Sequence, residues 1–154
     1  MMRTDELPPL EDVLCHRGSV LLLHEIVEHS DQHTVARVDV SRQSWLKRQD
    51  GSVAAWVAIE YMAQCFAAHE GLVAYFQNRH LPLGFLIGVH RLRLYVPEIR
   101  ADWRLRVRTR AARGRPGLGA LSHSSSVHTE ELGSEQTLGA EGRLSVSAQK
   151  PAAS

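Results

Sequence analysis

The chain has 154 residues, a formal net charge of +1 and two cysteines. This length suits one domain with its own buried core, and the nearly balanced charge argues against a general nucleic-acid binder. Because Cys15 and Cys65 form no C-x-x-C pair, neither a disulfide framework nor a zinc ribbon is indicated, and we expect a cytoplasmic protein. No stretch approaches about 18 uninterrupted apolar residues, so no membrane span is predicted.

The first predicted elements are a short helix and a pair of strands. The helix, at 10–14, follows two prolines, which suit the first turn of a helix. The apolar run from Val20 to Val27 predicts a strand, and the alternation from Thr34 to Val40 predicts its partner. A turn at 30–32 joins the two strands.

Glu60 is the only charge in a long apolar run from Val53 to Ala68. The start signal at residues 50–52 and the apolar pattern predict a helix over this run that continues towards Gln77. A helix that is apolar on nearly all sides must be enclosed by the rest of the fold. A carboxylate is costly there, so Glu60 is catalytic, lies on a wet stripe of the helix, or is bonded to nearby backbone.

The rest of the chain, from residue 84 to 147, predicts four strands. In the first two, at 91–96 and 104–110, leucine and valine alternate with arginine, which places the two kinds of residue on opposite faces. The other two strands are expected at 118–129 and 136–148. Turns at 113–117 and 133–134 precede them.

One long helix among antiparallel strands predicts an α+β domain over residues 1–148, with a frayed tail at 149–154. A curved sheet that wraps around a central helix is the hotdog fold.

Three segments resemble the hotdog 3-hydroxyacyl-acyl-carrier-protein dehydratases of fatty-acid synthesis. Leu14–Leu23 is similar to the family's Leu-Pro-His-Arg-x-Pro opening, Ile59–Gln64 to its Glu-Ala-Met-Ala-Gln helix motif, and residues 91–104 to its strand ending in Val-Pro-x-x-x-Gly-Asp. The helix motif and Gly84–Gly88 are more similar still to the dehydratase-like hotdog proteins of aryl polyene biosynthesis clusters. One family feature is missing, because residues 44–51 contain no histidine where the fatty-acid enzymes carry a catalytic His-Phe-Pro-Gly loop.

The resemblance implies removal of water from a 3-hydroxyacyl thioester, which needs one group to take a proton and another to give one. We predict that Glu60 is the acid-base carboxyl and that Gln64 orients it or binds substrate. The helix start, from Val53 through Ala54 to Ala55, is predicted to polarise the thioester carbonyl through free backbone N–H groups. Trp56 lines an acyl tunnel or belongs to the core.

The second catalytic group is less defined by the sequence. His16 is the first candidate because it lies in the matched opening motif, although a structural hydrogen bond is the alternative role. The nine histidines show no metal-site spacing such as H-E-x-x-H, so neither a metal nor another cofactor is expected.

Two strands that we expect to be neighbours carry candidates for binding the acyl carrier protein or the phosphate of its prosthetic arm. These candidates are Arg91, Arg93, Arg104 and Arg106. A solvated sheet face is the alternative interpretation.

The resemblance also implies that two hotdog subunits pair edge to edge, as a homodimer or a heterodimer, with acyl sites between them. Two alternatives to an active dehydratase remain. One is a hotdog acyl thioesterase, which also uses a helix carboxylate. The other is a non-catalytic partner subunit of an active dehydratase, which the missing loop histidine suggests.

Overall fold

A computed structural model describes residues 1–81, 83–111, 120–130 and 138–149. Within them, two α-helices accompany the strands. The helices are α1, Leu10–Val13, and α2, Ala58–Phe76. The strands are β1, Met2–Arg3; β2, Glu25–His29; β3, His33–Asp39; β4, Val53–Ala54; β5, Leu83–Leu94; β6, Glu98–Ile99; β7, Arg104–Ala111; β8, Ala120–Thr129; and β9, Leu138–Gln149.

Seven of these strands form one antiparallel sheet in the order β1-β2-β3-β7-β8-β9-β5, and β4 pairs with β6 in a separate ribbon. Helix α2 packs on β3, β7, β8 and β9, which lie side by side in the middle of the sheet. Its side chains Tyr61, Met62 and Cys65 are completely buried there. The predicted α+β hotdog architecture, with a curved antiparallel sheet around a long helix, is confirmed.

The long helix begins five residues later than predicted. Val53 and Ala54 belong to β4, where they pair with Ile99 and Glu98, and a 3-10 turn at Ala55–Val57 follows. The apolar run therefore contains a strand end and a turn before the helix, and the boundary is set by tertiary pairing with β6. As a result, Glu60 lies in the first turn of α2.

Other boundaries also differ from the prediction. The first strand starts at Glu25, because Gly18–Val20 forms a 3-10 turn with Gly18 at φ +58. Strand β3 and the opening helix agree with the prediction to within one residue at each end, and the turn at 30–32 is found where it was predicted. The predicted turns at 113–117 and 133–134, and the tail beyond Gln149, lie outside the described residues.

The two edges of the sheet differ in character. The edge strand β1 has only two residues, whereas β5 has twelve, and most of its apolar side chains are exposed. Phe85 and Ile87 keep 58% and 56% of their surface, and Leu94, which the alternation assigned to the buried face, keeps 42%. A long apolar edge that has no neighbour among the described strands is the feature of this fold that favours pairing with a second chain.

Buried histidines occupy the core between α2 and the sheet. The Thr34 hydroxyl joins the Nδ1 atoms of His29 and His69, at 2.8 and 2.9 Å. His123 stacks on Phe66 with ring centroids 4.0 Å apart, and neither of its ring nitrogens has a hydrogen-bond partner among the described residues. Burial lowers the pKa of His69 and of His123 to about 4, so these rings are neutral at pH 7.

The His123→Phe variant should therefore be less sensitive to acid than the wild type. Between about pH 6.5 and 4 the unfolded chain binds protons at His123 and the folded chain does not, so stability falls as the pH falls through this window. The full linkage is worth roughly 3 kcal/mol. Phenylalanine keeps the stack on Phe66 without a titratable group, and the difference between urea midpoints at pH 7 and pH 5 should shrink.

The exposed residue His80 provides the control. His80→Gln should leave both midpoints where the wild type has them. An equal loss of stability on acidification in the wild type and His123→Phe would contradict the assignment of acid sensitivity to this ring.

Candidate active site

The face of α2 that the sheet leaves uncovered carries both glutamates of the helix and its glutamine. Glu60, Ala63, Gln64, Ala67 and Glu70 recur at spacings of three and four, which place them on one side of a helix. The Glu60 side chain keeps 34% of its surface exposed. It is therefore neither fully buried nor free in solvent, and the helix dipole favours a negative charge at this first turn.

Gln64 connects this face to the chain segment before β2. Its Oε1 accepts a hydrogen bond from the Leu22 N–H at 2.9 Å, and its Nε2 donates to the Val20 carbonyl at 2.7 Å and to Glu60 Oε1 at 2.9 Å. A backbone N–H can only donate and a carbonyl can only accept, so these two groups determine which end of the amide faces which partner. The remaining N–H must then point at Glu60.

The residue is almost completely buried, with 1% of its surface exposed. This arrangement favours the orienting role of Gln64 over direct contact with a substrate.

His16 lies beside the same carboxyl. Its Nε2 is 3.9 Å from Glu60 Oε1, which is too long for a hydrogen bond but within reach of an ion pair when the ring is protonated. The His16 side chain keeps 28% of its surface exposed. The candidate acid-base pair is therefore open to a ligand from one side.

Arg17 holds the loop that carries His16. Its Nη1 donates to the carbonyls of Leu14 and His16, the latter at 2.8 Å, and its Nη2 donates to the Glu11 carbonyl at 2.7 Å. Carbonyls at the end of α1 have no partner within the helix, so the guanidinium donates the hydrogen bonds that these carbonyls would otherwise lack. Sequence reasoning missed this role, although Arg17 directly follows His16 in the matched motif.

The close contact between α1 and α2 also positions this loop. A Cβ on Gly71 would lie 1.9 Å from the Val13 carbonyl oxygen, so only glycine allows the two helices to approach in this way. The end of α1 is held against α2 three residues before His16.

A cavity of about 250 Å³, here called the Glu60 cavity, extends along this face of α2. Its walls are the helix, strand β5 and the ends of β8 and β9. The lining residues are His16, Glu60, Ala63, Gln64, Phe66, Ala67, Glu70, Leu83, Gly84, Phe85, Leu86, Leu121 and Val146. A larger cavity of about 540 Å³ lies between α1, residues 18–26 and residues 42–44, and it contains none of the predicted site residues.

A narrow, largely apolar cavity with a carboxyl, an amide and an imidazole at one end suits an acyl chain whose reactive end lies at the polar groups. The family model for ApeP-like proteins, described as ApeP dehydratase, matches residues 8–153. The chain belongs to the ApeP-like dehydratase family. The resemblance to hotdog dehydratases, and to the aryl polyene branch in particular, is thereby confirmed, and the protein is a dehydratase-like hotdog protein.

Solved structures support the fold of this ApeP-like chain. A chain of the dehydratase heterocomplex ApeI:P from Xenorhabdus doucetiae is similar, with a TM-score of 0.83, 24% identity, and coverage of 94% of this chain and 93% of that chain. A thioesterase from Haemophilus influenzae has a TM-score of 0.60 and 16% identity, and the match covers 96% of this chain and 95% of that chain. A protein from Helicobacter felis has a TM-score of 0.62 and 12% identity, and the match covers 93% of this chain and 91% of that chain. No curated protein matches the sequence.

The residues predicted to polarise the thioester carbonyl, Val53 to Ala55, do not lie where we expected them in this ApeP-like protein. Val53 is completely buried, Ala55 is nearly so, and none of the residues from Val53 to Trp56 lines the Glu60 cavity. The backbone of Val53 and Ala54 is in the β4–β6 ribbon, so the N–H groups that lack a partner within the helix at its start are those of the turn at 55–57. Trp56 is 54% exposed and is not a core residue. Substrate binding by these residues stays a prediction.

The expectation that the two arginine strands are neighbours is wrong. Strands β8 and β9 lie between β7 and β5, because the end of the chain returns to pair with β5. Arg106 contacts Glu130 at 3.3 Å, Arg93 contacts Glu141 at 3.6 Å, and Arg104 lies 4.0 Å from Asp39. Arg91 has no ion pair within the described residues. Carrier binding by the four arginines stays a prediction.

Three further observations concern the described part of the chain. Among the residues that the structure describes, no three His, Cys, Asp or Glu side chains form a metal site. Burial raises the pKa of the Cys65 thiol to about 12, so this cysteine is not a nucleophile. No helix in the described part of the chain is long and apolar enough to cross a membrane.

Replacing Gln64 should destabilise the fold, whereas replacing Glu60 should not. Gln64→Leu leaves the Leu22 N–H and the Val20 carbonyl without a partner, which costs about 1–3 kcal/mol for each group that stays dry. Glu60→Gln keeps an oxygen facing the Gln64 amide and should change stability by less than about 0.5 kcal/mol. Chemical unfolding of the two variants measures both values, and equal stabilities would show that the Gln64 bonds contribute nothing.

Proposed function

We propose that this chain is a subunit of a 3-hydroxyacyl-acyl-carrier-protein dehydratase that acts in the cytoplasm in polyene or fatty-acid-type synthesis. The observation that carries the proposal is the position of the Glu60 carboxyl at the polar end of the Glu60 cavity. Gln64 orients one carboxyl oxygen there, and His16 lies 3.9 Å from the same oxygen. A carboxyl and an imidazole at the end of an acyl-sized cavity are the two groups that this dehydration needs.

The reaction assigns each group a proton. One of the pair removes the proton from the carbon next to the thioester carbonyl, and the other gives a proton to the departing hydroxyl, which leaves as water. The electrons of the broken C–H bond form the double bond of the 2-enoyl thioester. Glu60 Oε1 is occupied by the Gln64 amide, and Oε2 has no partner among the described residues, so Oε2 is the oxygen available for proton exchange.

The helix start is the proposed site of the thioester carbonyl. N–H groups that have no partner within the helix, in the turn at Ala55–Val57, would stabilise the charge that develops on this oxygen together with the positive end of the α2 dipole. Trp56, the middle residue of this turn, is exposed and available to contact the pantetheine arm.

A second hotdog subunit is the proposed partner. The twelve residues of β5 form an open, apolar sheet edge, and Leu83 to Leu86 of this strand also line the Glu60 cavity. A chain that pairs with this edge would bury the exposed side chains and close one wall of the cavity. The similar chain from Xenorhabdus doucetiae comes from a heterocomplex, and the missing histidine in residues 44–51 favours a heterodimer here, with a homodimer as the alternative.

The carrier protein is proposed to approach along β5. Arg91 and Arg93 lie on the strand that forms the cavity wall and are exposed, whereas β7 lies three strands away, at about 14 Å. Arg106 lies 3.3 Å from Glu130 and is closer to a carboxylate than Arg93, which lies 3.6 Å from Glu141, and Arg91 has no ion pair among the described residues. The two arginines of β5 are therefore the better candidates for the phosphate of the carrier's prosthetic arm.

A thioesterase is the second candidate function, because a hotdog thioesterase also directs a helix carboxylate at a thioester and several similar structures are thioesterases. The products separate the two activities. A dehydratase leaves the enoyl chain on the carrier, whereas a thioesterase releases a free acid and a thiol.

The Glu60→Gln variant should lose at least about 100-fold in turnover, since acid-base groups typically contribute that much. The assay follows a 3-hydroxyacyl carrier protein by intact-protein mass spectrometry, with the chain alone and together with its hotdog partner. The expected product has lost one water. Loss of the whole acyl group would instead establish a thioesterase, and full activity of Glu60→Gln would contradict the role of Glu60.

The same assay with His16→Asn tests the second group. If His16 is that group, its loss should match the effect of Glu60→Gln. Full activity of His16→Asn in the complex would assign the second proton transfer to the partner subunit, and this chain would then contribute only Glu60.

Association with the partner should depend on the β5 edge. Ile87→Asp puts a charge on an exposed apolar side chain of β5 and should weaken association by at least about ten-fold. Met2→Asp is the matched control, because Met2 is an exposed apolar residue on β1, the opposite edge of the sheet. Sedimentation measures both, and equal association of the two variants would show that β5 is not the interface.

A further inference from the structure

The outer face of the sheet, which is turned away from α2, has a trough along strand β8. The side chains of His123, Ser125 and Val127 lie on the helix side of the sheet and are buried, so the residues between them face outward. Those residues are serines, whereas the neighbouring strands β7 and β9 present longer side chains. The result is a cavity of about 380 Å³, here called the Ser124 trough. It is lined by Arg108, Arg110, Ser124, Ser125, Ser126, His128 and Glu141.

Two arginines flank Ser124 in one row across three strands. Arg110 of β7 is directly opposite Ser124, and Ser124 is directly opposite Arg143 of β9. Neighbouring strands are about 4.8 Å apart, and an arginine side chain is longer than that, so both guanidinium groups can reach the space above the serine. Both arginines are exposed. Among the described residues neither has an ion pair, and the Ser124 hydroxyl has no hydrogen-bond partner.

The same row contains a pair of like charges. Arg143 is directly opposite Arg91 of β5, and like charges in that position destabilise a sheet. The chain accommodates another such pair with a carboxylate, because Arg37 and Arg106 are also opposite each other and Glu130 contacts them at 2.9 and 3.3 Å. No described carboxylate does the same for the first pair. This row of the sheet therefore lacks an anion.

The nearest carboxylate in the trough belongs to the next row. Glu141 is directly opposite Ser126 rather than Ser124. Its Oε1 accepts a hydrogen bond from the Tyr95 hydroxyl at 2.7 Å and lies 3.6 Å from Arg93 Nη1. On the other side of the trough, residues 112–119, which follow β7, contain no acidic residue. The space above Ser124 is consequently surrounded by donors and positive charge.

We propose that the Ser124 trough binds a small phosphomonoester, whose phosphate lies between the Arg110 and Arg143 guanidinium groups and accepts a hydrogen bond from the Ser124 hydroxyl. A phosphomonoester carries close to two negative charges at pH 7 and has three strong acceptor oxygens, which matches two unpaired arginines and one hydroxyl. The bound dianion would also relieve the repulsion between Arg143 and Arg91.

The site goes beyond the proposed function, because the Ser124 trough and the Glu60 cavity are on opposite faces of the sheet. It is also distinct from a site for the carrier's prosthetic arm or for a phospholipid headgroup. Those are phosphodiesters, with one negative charge and two free oxygens, so they would leave part of the donor set unused. A preference for monoester over diester is therefore the signature of this site.

The test compares phenyl phosphate with methyl phenyl phosphate, a monoester and a diester that share the same ring. Binding to the full chain is followed by phosphorus NMR at pH 7.5 and constant ionic strength, so that general screening is equal for the two probes. Phenyl phosphate should bind at least about ten-fold more tightly than the diester, since it adds a charge and an acceptor oxygen.

Variants of the two arginines test the site itself. Arg110→Gln and Arg143→Gln should each weaken the binding of phenyl phosphate by at least about ten-fold and reduce its advantage over the diester. Both positions are exposed, so unfolding curves should show a stability close to that of the wild type. Arg100→Gln is the matched control, because it removes the same charge from an exposed position before β7, where Arg100 pairs with Asp102. It should bind phenyl phosphate as the wild type does.

Three results would overturn the proposal: no binding of phenyl phosphate, equal or tighter binding of the diester, or undiminished binding in both Arg110→Gln and Arg143→Gln. A loss of binding in Arg100→Gln equal to that in the two site variants would also overturn it, since the effect would then come from net charge alone. None of these measurements requires dehydratase activity, so the site stands or falls independently of the proposed function.

Discussion

The amide of Gln64 is the interaction on which the site depends. It binds two backbone groups of the segment at 20–22 and one oxygen of Glu60, so a single buried side chain holds the loop before β2 and the catalytic candidate in one arrangement. The backbone partners leave no freedom in the direction of the amide, and the N–H that faces Glu60 is therefore fixed. Glu60 is positioned from within the helix, by a residue one turn away, rather than by a flexible surface contact.

The location of the cavity follows from how the sheet covers α2. Strands β3, β7, β8 and β9 enclose most of the helix, and the side chains that face them are buried and, apart from His69, largely apolar. Within the described residues, the side that remains is covered by α1, by the loop that carries His16 and by the beginning of β5. Both glutamates of the helix and its glutamine lie on that side, whereas the one histidine that faces the sheet is neutral and bonded to the Thr34 hydroxyl. The same geometry leaves the edge of β5 next to the site. A partner that paired with this edge would at the same time close one wall of the Glu60 cavity.

Patterns local in the chain predicted the architecture, while contacts distant in sequence decided the details. The alternation in β7 correctly placed Leu105 and Val107 in the core, and Glu60 was noticeable as the one charge in an apolar run. The start of α2 was misplaced because the pairing of Val53 with Ile99 cannot be read from an apolar run. The adjacency of the arginine strands failed for a similar reason, since strand order depends on where β9 returns. The role of Arg17 was missed because it depends on carbonyls that only the folded chain brings together.

The segment where related enzymes carry a catalytic histidine keeps an ordered structure in this chain. The Tyr61 hydroxyl donates to Gln43 at 2.6 Å, Asp50 accepts from the backbone and hydroxyl of Ser52, and Leu46 adopts a left-handed backbone with φ 63. A non-glycine residue in that conformation costs about 1–2 kcal/mol, so the surrounding contacts hold the loop in a specific shape. The loop therefore has a defined conformation although it contains no histidine. Meanwhile the Glu60 carboxyl is one-third exposed, and in water its interactions with developing charge are weak. A partner at the β5 edge would exclude water from the site and strengthen those interactions. The same partner subunit would be positioned to contribute the histidine that this chain lacks.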